Sequence, residues 1–112
     1  MLGLPPANTI LTRQAGGHLP LPSIAERFGL SVAAAAGEMT ILGLCRLLGI
    51  EAHTRPGFTA NVDTDLAGKF ELALELLRQG HDLAMLHVKA TDILAHDRNP
   101  QGKADFIRKV DR

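Results

Sequence analysis

Leu30-Ser31-Val32-Ala33-Ala34-Ala35-Ala36-Gly37-Glu38-Met39-Thr40-Ile41-Leu42-Gly43-Leu44-Cys45-Arg46-Leu47-Leu48-Gly49-Ile50-Glu51-Ala52-His53 is the stretch on which the fold turns. Leu30 to Ala36 is apolar, small-sided and of strand length, so it reads as a buried strand closely packed by helices. Glu38 to Leu48 is apolar nearly all round, through Met39, Ile41, Leu42, Leu44, Cys45, Leu47 and Leu48, which predicts a well-buried helix. Gly49 caps that helix, and Ile50 to His53 reads as a second short strand.

The same alternation continues on both sides. Thr9-Ile10-Leu11-Thr12 is β-branched and apolar and is followed by Gly16-Gly17, which predicts a strand near 8–13. Ser23 is the N-cap of a short helix with Arg27 in its last turn and Gly29 at its close. Arg55 to Asn61, containing Pro56 and Gly57, is a loop. Thr64 to Gln79 is the clearest helix, with Leu66, Phe70, Ala73, Leu74 and Leu77 at helical spacing, Arg78 late and Gly80 beyond. Asp82 to Val88 reads as a buried strand, and Asn99-Pro100 opens the last helix, Asn as cap and Pro in the first turn.

Strands alternating with helices imply an α/β fold: three layers, α/β/α, around a mostly parallel sheet, with residues 1–112 as one segment. Ligands in such sheets gather at the carboxyl ends of the strands, here after Thr12 and after Val88. The chain enters almost directly into a strand and stops inside a helix, so an open sheet lacking neighbours is expected, with self-association through its free edges as one consequence.

Twelve basic residues balance twelve acidic ones, so no overall field draws the chain to nucleic acid or anionic lipid. Four Phe and no Trp or Tyr leave few rings on which bases could stack. Cys45 is the single cysteine and can form no internal disulfide, which fits a reducing cytoplasm. Met-Leu-Gly-Leu-Pro-Pro is not a signal peptide, and no apolar run reaches the ~20 residues that span a bilayer. The expectation is a cytoplasmic protein without nucleic-acid or membrane partners.

The densest polar cluster is His87-Val88-Lys89-Ala90-Thr91-Asp92-Ile93-Leu94-Ala95-His96-Asp97, and it begins where a strand ends. Asp92 and His96 would share one helix face, where a carboxylate and an imidazole can converge on a divalent ion such as manganese, zinc or iron. The same spacing also suits a plain surface ion pair. His87 reads as a hydrogen-bonded structural histidine or a metal or phosphate contact. Lys89 reads as a phosphate contact or a solvated ion pair. Arg13 and Arg27 could grip phosphate or carboxylate oxygens, or simply stand on the surface. Cys45 sits on a buried-looking helix and reads as an inert core thiol rather than a nucleophile. No Gly-x-Ser-x-Gly elbow, Walker-type loop or dinucleotide fingerprint is present.

Four stretches together resemble the archaeal-type, cofactor-independent phosphoglycerate mutases of the alkaline phosphatase superfamily. They are Pro6 to Gly16, Leu21 to Leu30, Asp63-Thr64-Asp65-Leu66 with Lys69, and His87 to Asp97. The last is the most specific, because the family pattern reads His-Val-Lys-Ala-x-Asp-x-x-Gly-His-Asp. The resemblance implies that Asp92 and His96 ligate a catalytic divalent metal, with Mn2+ first and Zn2+, Co2+, Fe2+ or Mg2+ as alternatives. It implies 2- and 3-phosphoglycerate as substrates, interconverted through a phosphoserine. By looser analogy it gives substrate or phosphate contacts to Arg13 and Arg27, and Lys89 belongs to the same set. The fold implied is part of an alkaline-phosphatase-like core.

Departures from the pattern are Ala95 for glycine, Gln14 for glycine, Arg27 for lysine and Arg98 for glycine. Nothing matches the family's nucleophilic serine or its other metal ligands, so the resemblance implies an internal segment of a larger enzyme, inactive alone. Two rivals stand beside it: another phosphotransferase of the superfamily, such as a homoserine-kinase-like enzyme, and a free-standing, non-catalytic binding module.

Overall fold

The computed structural model describes residues 9–13, 15–17 and 20–112. Their elements run α1 (Ile24–Phe28), β1 (Val32–Ala35), α2 (Met39–Leu47), β2 (Glu51–His53), α3 (Leu66–Arg78), β3 (Leu83–Leu86), α4 (Ala90–His96) and α5 (Pro100–Val110). Local chemistry sets several boundaries. At α1, Ser23 Oγ accepts from the Glu26 amide at 3.1 Å while Glu26 Oε2 accepts from the Ser23 amide at 2.7 Å. Gly29, at φ 68°, then ends the helix in the left-handed region. Asp65 and Asn99 cap α3 and α5 in the same manner, accepting from the amides of Gly68 and Gly102.

The three strands are parallel and lie in the order β2-β1-β3. Ala33 of the central strand stands opposite Glu51 on one side and Ala84 on the other. Both of its faces are covered, which is why it is built of small residues. Ala33 and Ala35 pack against Phe58, Leu72 and Leu76, while Val32 and Ala34 on the opposite face are also buried. The chain steps from β1 to β2 in one direction and crosses back over β1 to β3 in the other. Right-handed crossovers therefore place α2 and α3 on opposite faces. The result is the expected α/β fold, an open parallel sheet between helices.

At the amino edge, the Ser31 amide donates to Asp82 Oδ2 at 2.8 Å, and Ser31 Oγ lies 2.8 Å from His81 Nδ1. These bonds tie the entry of β1 to the entry of β3. A second cluster, Ala90, Leu94 and Phe106, joins α4 to α5. Among the described residues, no helix is long and apolar enough to cross a membrane.

Four expectations need correction. The strand expected near 8–13 does not form over residues 9–13, and residue 8 lies outside the described residues. Ile10 is 94% exposed, and no described strand pairs with this segment, so β-propensity has no ladder to join. Helix α2 is not buried all round: only Leu42 and Cys45 are buried, and Met39 is 73% exposed. Its strand partner is the three-residue edge strand β2, which covers one side of a helix and no more. Helix α3 buries Lys69, Leu72 and Leu76, while Phe70, Leu74 and Leu77 of the expected face are exposed. Strand β3 is half-buried rather than buried, because it forms an edge of the sheet.

Candidate metal centre

Three chain segments meet at the carboxyl edge of the sheet. The first follows β1 and carries Gly37 and Glu38. The second is the loop between β2 and α3. The third follows β3 and leads through His87, Val88 and Lys89 into α4. The His87 amide donates to the Ala35 carbonyl at 3.0 Å, which prolongs the β1–β3 ladder by one residue before the chain turns into the helix. Lys89 Nζ lies 3.4 Å from Glu38 Oε2, joining the starts of α4 and α2.

Asp92 and His96 stand one turn apart on α4, with His96 Nε2 3.6 Å from Asp92 Oδ1. Their side chains are 56% and 80% exposed, so neither is held in a core contact and both are open to a ligand. Two donors each about 2.1 Å from a tetrahedral ion stand about 3.4 Å apart. The observed spacing and the mixed oxygen and nitrogen donor set therefore fit a divalent metal. Among the described residues no third histidine, cysteine or carboxylate joins them.

Burial holds the His87 imidazole below its ordinary value; the charges of Lys69 and Lys89 act in the same direction and Glu38 opposes them. A neutral imidazole thus stands beside the turn into α4. Lys69, which the sequence marks only as part of a longer match, is the most deeply buried charged residue of this edge. It is 1% exposed, and its Nζ donates to the carbonyls of Thr59 and His87, each at 3.2 Å. Burial lowers the pKa of its ammonium. A signal was available: Lys69 falls on the Leu72 and Leu76 stripe, where a charged residue needs a buried partner.

The remaining candidates lie elsewhere. Arg13 is in the irregular, exposed segment 9–13. Arg27 sits on α1 at the amino edge, where the Ile24 amide donates to Leu48 at the end of α2, and its guanidinium lies 5.2 Å from the Phe28 ring centre. The structure does not bring Arg27 together with Asp92 and His96. Cys45 is buried, as expected of a core thiol.

The family model described as the metalloenzyme superfamily matches residues 8–112. The chain is 46% identical over 110 residues to a 2,3-bisphosphoglycerate-independent phosphoglycerate mutase of Metallosphaera sedula, covering 98% of this chain and 26% of that protein. It is 41% identical over 110 residues to the protein of the same name from Methanopyrus kandleri, again over 98% and 26%. The chain thus spans about a quarter of the length of the curated relatives it matches. A solved structure of the PH0037 protein from Pyrococcus horikoshii superposes with a TM-score of 0.78 at 30% identity, over 85% of this chain and 28% of that one.

Proposed function

Since this chain belongs to the metalloenzyme superfamily, we propose that it supplies Asp92 and His96 as half of a divalent-metal site in a cofactor-independent phosphoglycerate mutase. The observation that carries the reading is their 3.6 Å pairing on α4, at the carboxyl edge of a parallel sheet. The relatives are named phosphoglycerate mutases, and the reaction in this reading is interconversion of 2- and 3-phosphoglycerate. A bound divalent ion, Mn2+ in the first instance, would neutralise charge on the phosphoryl oxygens and lower the pKa of an attacking hydroxyl.

The chain's own residues hold and orient. Asp92 supplies a carboxylate oxygen and His96 an imidazole nitrogen, and the turn from His87 to Ala90 sets where both point. Lys89 gives an ammonium at the same edge, close enough to exchange its Glu38 partner for a phosphate oxygen. Arg13, in the exposed segment 9–13, is a second anion contact in this reading. Arg27 stands at the other edge of the sheet, so we leave it out of this set. The nucleophilic serine and the remaining metal ligands are contributed by parts of the enzyme other than these residues.

The test has two arms. In this chain, Mn2+ should broaden the NMR signals of Asp92 and His96 first, and Asp92→Asn should abolish that selectivity. In the full-length enzyme Asp92→Asn should lower mutase turnover about 100-fold or more, since even the outer partners of metal ligands cost 10–100-fold. Unchanged turnover removes the assignment. Higher activity of the enzyme on homoserine with a phosphate donor than on 3-phosphoglycerate would keep the metal site and replace the substrate.

A further inference from the structure

The proposed reaction leaves a fully buried charged residue unaccounted for. Lys69 lies on the face of α3 that otherwise carries Leu72 and Leu76, a place where packing alone favours an aliphatic side chain. Taking an ammonium out of water is unfavourable unless its protons find acceptors. Here two are found, and they come from different segments: the Thr59 carbonyl from the loop between β2 and α3, and the His87 carbonyl from the turn between β3 and α4. The Phe58 ring lies 5.8 Å from the same nitrogen.

Residue 87 is therefore gripped on both sides. Its amide is bonded to Ala35 of the central strand and its carbonyl to Lys69. The loop is also confined from behind. A Cβ at Gly37 would collide with the Phe58 carbonyl, so glycine at that position lets the loop lie directly against the end of β1. Past residue 87 the chain reaches Lys89, whose carbonyl accepts from the Asp92 amide at 2.8 Å in the first turn of α4.

From these contacts we propose that Lys69 is a positioning residue for the metal pair. Its ammonium pins the Thr59 loop to the His87 turn and so fixes the path by which the chain delivers Asp92 and His96. The consequence for metal binding rests on the reading of Asp92 and His96 as ligands. The pin itself does not.

Hydrogen exchange and Mn2+-induced NMR broadening of the full 112-residue chain test both parts. Lys69→Met keeps the length of the side chain and removes its donors; Leu76→Ala, on the same helix face, disturbs packing without touching either carbonyl. Lys69→Met should speed exchange of the 87–92 amides about tenfold while the Val32–Ala35 amides change less, and should weaken the Mn2+ response at Asp92 and His96 about tenfold. Leu76→Ala should raise exchange evenly and leave the metal response of the folded protein intact. Should Lys69→Met fail to fold, Lys69→Leu, which also lacks donors and matches the Leu72 and Leu76 stripe, is read in the same way.

Wild-type exchange at 87–92 in the lysine variant, or the same pattern in Leu76→Ala, overturns the proposal. If the wild-type chain shows no Mn2+ response but Lys69→Met still loosens 87–92 selectively, the pin is supported and the metal reading is the part that fails.

Discussion

Replacing Ala35 by valine sets two physical expectations against each other with opposite signs. Valine is the better strand former, by up to about 1 kcal/mol in host proteins. If the site had room, burying two more carbons would add roughly 0.8 kcal/mol for each. The structure leaves no such room. Ala35 is fully buried in the central strand, in the cluster with Phe58, Leu72 and Leu76, and α3 is packed across it. Added volume in a close-packed core typically costs about 1–3 kcal/mol through shifted rotamers and backbone. The expected outcome is net destabilisation. Urea unfolding should be followed by far-ultraviolet circular dichroism, because the chain has no Trp or Tyr to report by fluorescence. With a urea slope of about 1 kcal/mol per molar, suited to a small domain, the midpoint should fall by roughly 1 M or more. Leu76→Ala, which leaves a cavity in the same cluster, should cost about 2–5 kcal/mol alone. Joined with Ala35→Val it should cost less than the sum by about 0.5–3 kcal/mol, since one change fills space that the other empties. A midpoint at or above wild type for Ala35→Val, or strict additivity in the double variant, would refute the close packing of α3 on β1.

Two further outcomes follow from buried titratable groups. The folded-state pKa of His87 is held below its ordinary 6.5, chiefly by burial, so below about pH 6.5 the unfolded chain binds a proton that the folded chain refuses. Stability is then lost as pH falls from that value towards the lowered folded pKa, and His87→Gln should flatten this acid-side loss in urea midpoints; an unchanged slope places the titrating group elsewhere. Burial likewise pushes the Cys45 thiol up and shields it, so a thiol reagent at neutral pH should label the native chain far more slowly than the urea-unfolded one, and equal rates would show that α2 does not cover it.

What could be read from the sequence was mostly local. The Ser23 N-cap, Gly29, Gly49, and the Asn99-Pro100 start depend on a few neighbouring residues, and each falls where it was expected. The Ala33–Ala36 run was legible because only a strand covered on both faces needs so little side-chain volume. The spacing of Asp92 and His96 was legible because a helix fixes it. What failed was choice among faces. Helix α3 is apolar on two sides, and Phe70, Leu74 and Leu77 make the stronger stripe by hydrophobicity alone. The stripe actually buried contains Lys69, and it becomes tolerable only when two carbonyls from distant segments arrive beside it. Residues 9–12 have strand propensity, but a ladder needs a neighbour that propensity does not provide.

The same non-local contacts that escape sequence reading link the core to the candidate site. Small residues let helices close over β1, and Gly37 at its end lets the Phe58 loop lie against it. That loop carries Thr59, Thr59 and His87 share the Lys69 ammonium, and residue 87 leads into the helix of Asp92 and His96. Each link is weak alone, a backbone contact or a single hydrogen bond. Their order along the carboxyl edge means that no link can shift without moving the next. The exposed Asp92 and His96 pair gains definition in this way, because α4 inherits its placement from the buried strand that α3 and Lys69 clamp beside it.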